Sequence, residues 1–154
     1  MNQRCGKCVL VLGRTKRRSK LKPSYPKSVG IWRWRFLGFA SWRTVVVAAR
    51  ALQLFGGGKI VSFDQHAEFA QTTQGWIREN NMDAEIRHAP LGAPPAGWPG
   101  HWYQLSDVPN EIDLLIVDGP PWAIHPHVRG AASSLFSHIR PGGRVLLDVG
   151  QRHG

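Results

Sequence analysis

The stretch from Ile112 to Asp148 constrains the fold more than any other part of the chain. It reads IDLLIVDGPP, then a segment of helical length, then IRPGGRVLLD. The apolar run Leu114 to Val117 has the length of a strand, ends in Asp118 and breaks at Gly119-Pro120-Pro121. Val128, Ala132, Leu135 and Ile139 follow at helical spacing. A turn at Pro141-Gly142-Gly143 then leads into a second apolar strand, Arg144 to Leu147. Strand, helix, turn and strand make a βαβ unit. Near-continuous apolar strands predict a parallel sheet covered on both faces. In such sheets ligands bind beyond the carboxyl ends of the strands, where Asp118 and the Gly-Pro-Pro turn would lie.

The upstream sequence extends this pattern. Ile31 to Leu37 alternates apolar residues with Arg and is read as a strand, with Gly38-Phe39-Ala40-Ser41 as the turn after it. Thr44 to Phe55 has a helical face of Val45, Ala48, Leu52 and Phe55, stopped by Gly56-Gly57-Gly58. Lys59 to Phe63 is a strand ending at Asp64. Glu68 to Asn80 is a helix with Phe69, Thr73, Trp76 and Ile77 inward, and Ala84 to His88 is a third strand. The Pro- and Gly-rich run Pro90 to Gly100 is expected to be a surface loop. The order β-α-β-α-β-loop-β-α-β predicts a doubly wound α/β fold with a mostly parallel sheet of about five strands.

At 154 residues the chain suits one domain with a real core. Its only cysteines, Cys5 and Cys8, exclude a disulfide framework and fit a reducing compartment, so a cytoplasmic protein is expected. The CxxC spacing lacks both the preceding strand of a redox site and the two further ligands of a zinc site, so the thiols are read as ordinary. No apolar run approaches the roughly 18 residues of a membrane span. The apolar stretch from Cys8 to Leu12 is too short for a signal peptide.

The net charge of +10 is divided sharply. Residues 1 to 60 hold 14 of the 20 Lys and Arg and no acid, whereas residues 61 to 154 hold six basic and ten acidic residues. We therefore separate a basic, poorly ordered arm, 1–29, from a domain at 30–154. Three readings of the basic part remain. It could bind nucleic acid through counterion release with Trp32, Trp34 and Trp42 stacking on bases. It could be a targeting segment. Or it could be an upstream extension or a stretch read out of frame, which the Trp-Arg alternation of IWRWRF favours. Nucleic-acid binding stays open and is not preferred, since a basic run is usually a solvated tail.

From about Gly38 to Gly150 the chain resembles the class I S-adenosylmethionine-dependent methyltransferases, of the small Rossmann-like kind called methyltransferase family 24. GGKIVSFDQH resembles the second strand with its ribose-binding acid. AEIRHAPL resembles the third strand and the loop beside the adenine. DLLIVDGPP resembles the fourth strand and the motif below the reaction centre. LFSHIRPGGRVLLD resembles the helix, turn and fifth strand. The resemblance implies S-adenosylmethionine as cofactor, held by Gly38, Ala40, Ser41, Asp64, Gln65, His88, Ala89, Asp118, Gly119 and Pro120. It implies Asp118 as the catalytic residue and a small-molecule oxygen or nitrogen as methyl acceptor, and no metal ligands are assigned. Asp64 equally suits a helix N-cap. Asp118 could orient the methionine amino group, coordinate a metal or act as a base.

The sequence also departs from the family. The acid expected at the end of the first strand is missing, with Arg35 near its place, and Trp42-Arg43 interrupts the expected Ser-Thr. The chain ends just after the fifth strand, without the family's antiparallel hairpin, so an exposed sheet edge is expected. A non-catalytic remnant is therefore a second reading. A nucleic-acid methyltransferase is a third, because Asp118-Gly119-Pro120-Pro121-Trp122 resembles the Asp-Pro-Pro-Trp motif of adenine N6 methyltransferases with Gly119 inserted. The histidines are read as solvated, since no HxxxH spacing occurs.

Overall fold

The computed structural model describes residues 8–13, 34–39, 42–54, 58–121 and 123–148. Eight strands and three helices follow one another as β1 (Cys8–Gly13), β2 (Trp34–Phe39), α1 (Trp42–Leu54), β3 (Gly58–Asp64), α2 (Ala67–Glu79), β4 (Ala84–His88), β5 (Leu91–Gly92), β6 (Trp102–Tyr103), β7 (Ile112–Val117), a 3₁₀ helix (Val128–His138) and β8 (Ile139–Leu147). Among the described residues the architecture is mixed α/β.

The main sheet runs β4-β3-β2-β7-β8 through parallel pairings only. Ile60 to Asp64 pair with Ala84 to His88, Trp34 with Gly58, Phe36 with Leu114, and Leu114 to Val117 with Arg144 to Leu147. Strand β1 pairs antiparallel with both β3 and β7. Strand β4 pairs with β3 and strand β8 with β7.

Period-2 alternation divides the core between the two faces of the sheet. Ile60, Ile86, Leu114 and Ile116 pack with Val45, Ala48, Ala49 and Leu52 of α1 and with Ala70 and Ile77 of α2. On the opposite face Val61, Phe63, Leu115 and Val117 meet Val128, Ala131, Ala132 and Leu135 of the 3₁₀ helix. Trp102 and Tyr103, fully buried, belong to this second cluster. Helix α2 carries Glu68 in its first turn and Arg78 in its last, each complementing the end of the helix dipole it lies near.

Several expectations are corrected. Gly38 and Phe39 extend β2 and are not the turn after it. Trp76 is 39% exposed, because inward packing on α2 falls to Ala70, Thr73 and Ile77. The helix after Asp118 is 3₁₀ rather than α. Strand β8 begins five residues early, and its pairing with β7 shifts between Ile112 and Leu114 to absorb the turn, where Gly142 takes φ +81°. The Pro-Gly run is not wholly irregular, for Leu91-Gly92 pairs with Trp102-Tyr103. A strand, β1, lies in the stretch read as part of an arm; CVLVLG has the apolar, β-branched composition a strand needs. Phe55, Gly56, Gly57 and the rest of the arm lie outside the described residues. On β8, Leu146 and Leu147 are exposed.

Candidate functional site

Strands β3, β4, β7 and β8 run the same way, so Asp64, His88, Asp118 and Asp148 all fall at one end of the sheet. The antiparallel register of β1 gives the same alignment, with Cys8 opposite Asp64 and Val9 opposite Val117. Two groups of side chains occupy this carboxyl edge, on either side of β2.

The first group ends β3 and β4. Asp64 is 4% exposed, and its Oδ1 accepts the His66 backbone N–H at 2.8 Å. His66 is itself the N-cap of α2, so Asp64 closes the turn into the helix and is not its cap. Its second carboxylate oxygen has no hydrogen bond among the described residues. Burial raises the Asp64 carboxyl above its ordinary value of 3.8, against the lowering pull of the His66 N–H and of the His66 and His88 rings. His88 stands opposite Asp64 in register, with its Nε2 3.2 Å from the Gln65 carbonyl oxygen. The Gln65 amide nitrogen meets His66 Nε2 at 2.9 Å, while Gln65 Oε1 is buried without a partner among the described residues. Ala89, also buried, donates its N–H to the Asp64 carbonyl at 2.8 Å and ties the ends of the two strands together. Asp64, Gln65, His88 and Ala89 are thus brought together at the ends of β3 and β4.

The second group follows β7. Asp118 is succeeded by the buried Gly119 and Pro120, joined by a cis peptide bond. Arg129, 9% exposed on the 3₁₀ helix, reaches back into this turn. Its Nε donates to the Pro120 carbonyl at 3.2 Å, one terminal nitrogen donates to the Asp148 carbonyl, and the guanidinium lies 3.8 Å from the Asp118 carboxylate and 3.4 Å from that of Asp148. One cation therefore clamps the carboxyl ends of β7 and β8. The sequence reading missed it. The available signal was a lone arginine beside Val128, Ala132 and Leu135, within reach of two strand-ending acids. A second clamp, Arg140 to the buried Asp113, holds the amino ends of the same strands.

The loop between β5 and β6 packs against the segment that follows β7. A Cβ on Gly130 would fall 2.1 Å from the Trp98 ring, so the indole lies flush against that glycine; Gly100, at φ +81°, backs onto His125. The His125 and His127 rings are 5.7 Å apart, with His125 Nδ1 accepting the His127 N–H.

Gly38 is level with Ile116, one residue short of the strand end, while Ala40 and Ser41 lie outside the described residues. Arg35 pairs with Lys59 near the amino end of β3, far from the edge. The position where a strand-ending acid would stand belongs to Phe39. Among the described residues no three His, Cys, Asp or Glu side chains gather into a metal site, and no helix is long and apolar enough to cross a membrane. The chain matches no protein-family model, no curated protein and no solved structure.

Proposed function

We propose that the chain is a Rossmann-like domain that binds S-adenosylmethionine along the carboxyl edge of its sheet and transfers the methyl group to an oxygen or nitrogen of a small molecule. The observation that carries this reading is the parallel order β4-β3-β2-β7-β8, helices on both faces, with Asp64 and Asp118 at one edge. Ligands of such sheets bind at that edge, where the strand order reverses on either side of β2.

The residues at β3 and β4 fit the nucleoside end of such a cofactor. Asp64 keeps one carboxylate oxygen for a ribose hydroxyl, and the buried Gln65 Oε1 needs a donor. Exclusion of water strengthens both interactions. S-adenosylmethionine supplies an electrophilic methyl on a sulfonium. The protein has then to hold the acceptor in line with it, and positioning of this kind carries most of the rate. Asp118 can orient a cationic amine or draw a proton from an acceptor hydroxyl, in competition with Arg129.

A second reading, a non-catalytic remnant, is favoured by Phe39 in place of the acid and by the engagement of Asp118 with Arg129. Titration calorimetry with S-adenosylmethionine and with its demethylated product separates the two. Saturable binding that weakens in Asp64→Ala is expected. No heat with either ligand, in a chain that is folded by circular dichroism, would leave the remnant.

A further inference from the structure

Among the described residues β8 pairs with β7 alone, and it carries three exposed apolar residues in a row, Val145, Leu146 and Leu147, at 36%, 54% and 42%. Residues in register on adjacent strands point to the same face of a sheet. Val145 and Leu147 lie level with Leu115 and Val117, which are buried toward the 3₁₀ helix, and Leu146 lies level with Ile116, which packs on the side of α1 and α2. Neither helical layer extends over these three residues. The backbone is turned outward in part as well. Asp148 donates its N–H to the Val117 carbonyl at 2.9 Å. By alternation along a strand, the main-chain groups of Arg144 and Leu146 also turn toward β7, and those of Val145 and Leu147 turn away from it. Pro141, which has no N–H, and Gly142, at φ +81°, interrupt the earlier part of the strand. The stretch 144–148 is therefore the part able to take a further ladder, and an edge of this kind is a template for another strand.

We propose that β8 is a self-association edge, joining a second copy of this chain in an antiparallel, two-fold pairing centred on Leu146. The occupant follows from the residues of the edge itself. A two-fold axis at Leu146 sets that residue opposite its own copy, Val145 opposite Leu147 of the second copy, and Arg144 opposite Asp148 of the second copy. Val145 and Leu147, whose main-chain groups turn outward, then exchange the hydrogen bonds. Leu146 and the Arg144–Asp148 pairs fall at the closer, non-bonded positions, where directly opposed unlike charges are stabilising. Both charged residues are exposed, and Asp148 keeps 52% of its side chain open beside Arg129. Neighbouring registers lose this match. An axis at Val145 sets Arg144 against Leu146 and Asp148 against Gly142, and one at Leu147 sets Asp148 against Leu146. An axis between two residues opposes outward-turning groups to inward-turning ones. The two-fold arrangement uses one edge of each copy, so it closes at a dimer. It holds whether or not the chain binds S-adenosylmethionine.

Sedimentation equilibrium of the full chain between about 1 and 100 μM tests the association. A reversible monomer–dimer equilibrium is expected; a monomer throughout, or open-ended growth, overturns the proposal. Leu147→Pro removes an outward-turned N–H and leaves the ladder with β7 intact, so it should weaken the dimer about tenfold or more. A dimer unchanged by that proline shows that the contact lies elsewhere and overturns the proposal too. Disulfide trapping decides the matter if the proline unfolds the chain. In a Cys5→Ser, Cys8→Ser background, Leu146→Cys stands opposite itself in the second copy, within disulfide reach. Val145→Cys stands two residues out of register with its own copy, beyond that reach. On mild oxidation the first variant should link two copies about tenfold faster than the second, although both positions are exposed on the same strand. Equal rates, or faster linking at 145, overturn the register and the proposal with it.

Discussion

Asp64 and Asp118 arise from the same local sentence, an apolar strand, an acid and a turn into a helical segment, yet the folded chain treats them differently. Asp64 is buried, makes no ion pair among the described residues and is held by one backbone N–H. Asp118 is more exposed and shares a buried guanidinium with Asp148. The first is costly to ionise and ready for a neutral hydroxyl; the second has its charge compensated by a residue that also fixes the backbone. Strand-terminal position therefore locates an acid but does not assign it a role. What decides the role is which side chain arrives from the helix that follows the strand.

The comparison is broken most forcefully at Arg129. Arg129→Met removes the clamp and leaves the Pro120 and Asp148 carbonyls short of a donor, and it should cost about 2–4 kcal/mol in chemical denaturation. Arg129→Lys should recover only part, because an ammonium cannot reproduce the planar fork. A loss below about 0.5 kcal/mol would show that β7 and β8 hold together without it.

At the other acid the expected effect is on binding. If S-adenosylmethionine is bound as proposed, Asp64→Ala should weaken it by about 1.5–3 kcal/mol through loss of charge-assisted bonds to the ribose. Unchanged calorimetric affinity in the folded variant would reduce Asp64 to a turn residue.

A smaller effect of opposite sense is expected in stability. A carboxyl raised in the folded state binds its proton more tightly there, so its contribution is complete below 3.8 and is lost as pH rises through the folded value. Asp64→Asn keeps the acceptor for the His66 N–H without that loss, and it should gain about 0.5–1 kcal/mol at neutral pH while flattening this limb of the stability profile. A variant less stable than wild type at pH 7 would mean that the ionised carboxylate has a partner the turn does not provide.

The smallest effect belongs to Glu85 on β4, which Arg87 at 2.7 Å and Lys59 at 3.1 Å hold below its ordinary 4.5. Its contribution is present above 4.5 and lost as pH falls through the folded value, the reverse of Asp64. Since the pair is well exposed, Glu85→Gln should cost about 0.2–1 kcal/mol and lose that cost in high salt.

Much of this was legible in the residues. The strand Ala84–His88 has the bounds its pattern predicts, and the inward face of α1 follows the 3.6-residue spacing closely enough to identify Val45, Ala48 and Leu52; Val128, Ala132 and Leu135 are buried as expected although their helix is 3₁₀. Parallel strands buried on both faces write themselves as apolar runs, which is why Asp64 and Asp118 could be placed at one edge in advance. Arg129 was not legible, because an ion pair across a loop leaves no periodicity. Nor was Trp76, whose size suggests burial while its place on α2 turns it partly outward. Strand β1 escaped notice because six apolar residues flanked by cations read equally as tail or strand, and only a partner decides between them.

The seating of Trp98 on Gly130 has a consequence for how this chain can vary. Nothing in the 3₁₀ helix itself asks for a glycine at 130; the requirement is imposed from a loop more than thirty residues upstream, by an indole lying where a Cβ would stand. The two positions therefore form one heritable unit. Gly130→Ala alone has to evict the ring, whereas Trp98→Ala first makes the methyl harmless or even welcome as filling for the space left behind. Lineages descending from this sequence should cross between the two states only in that order.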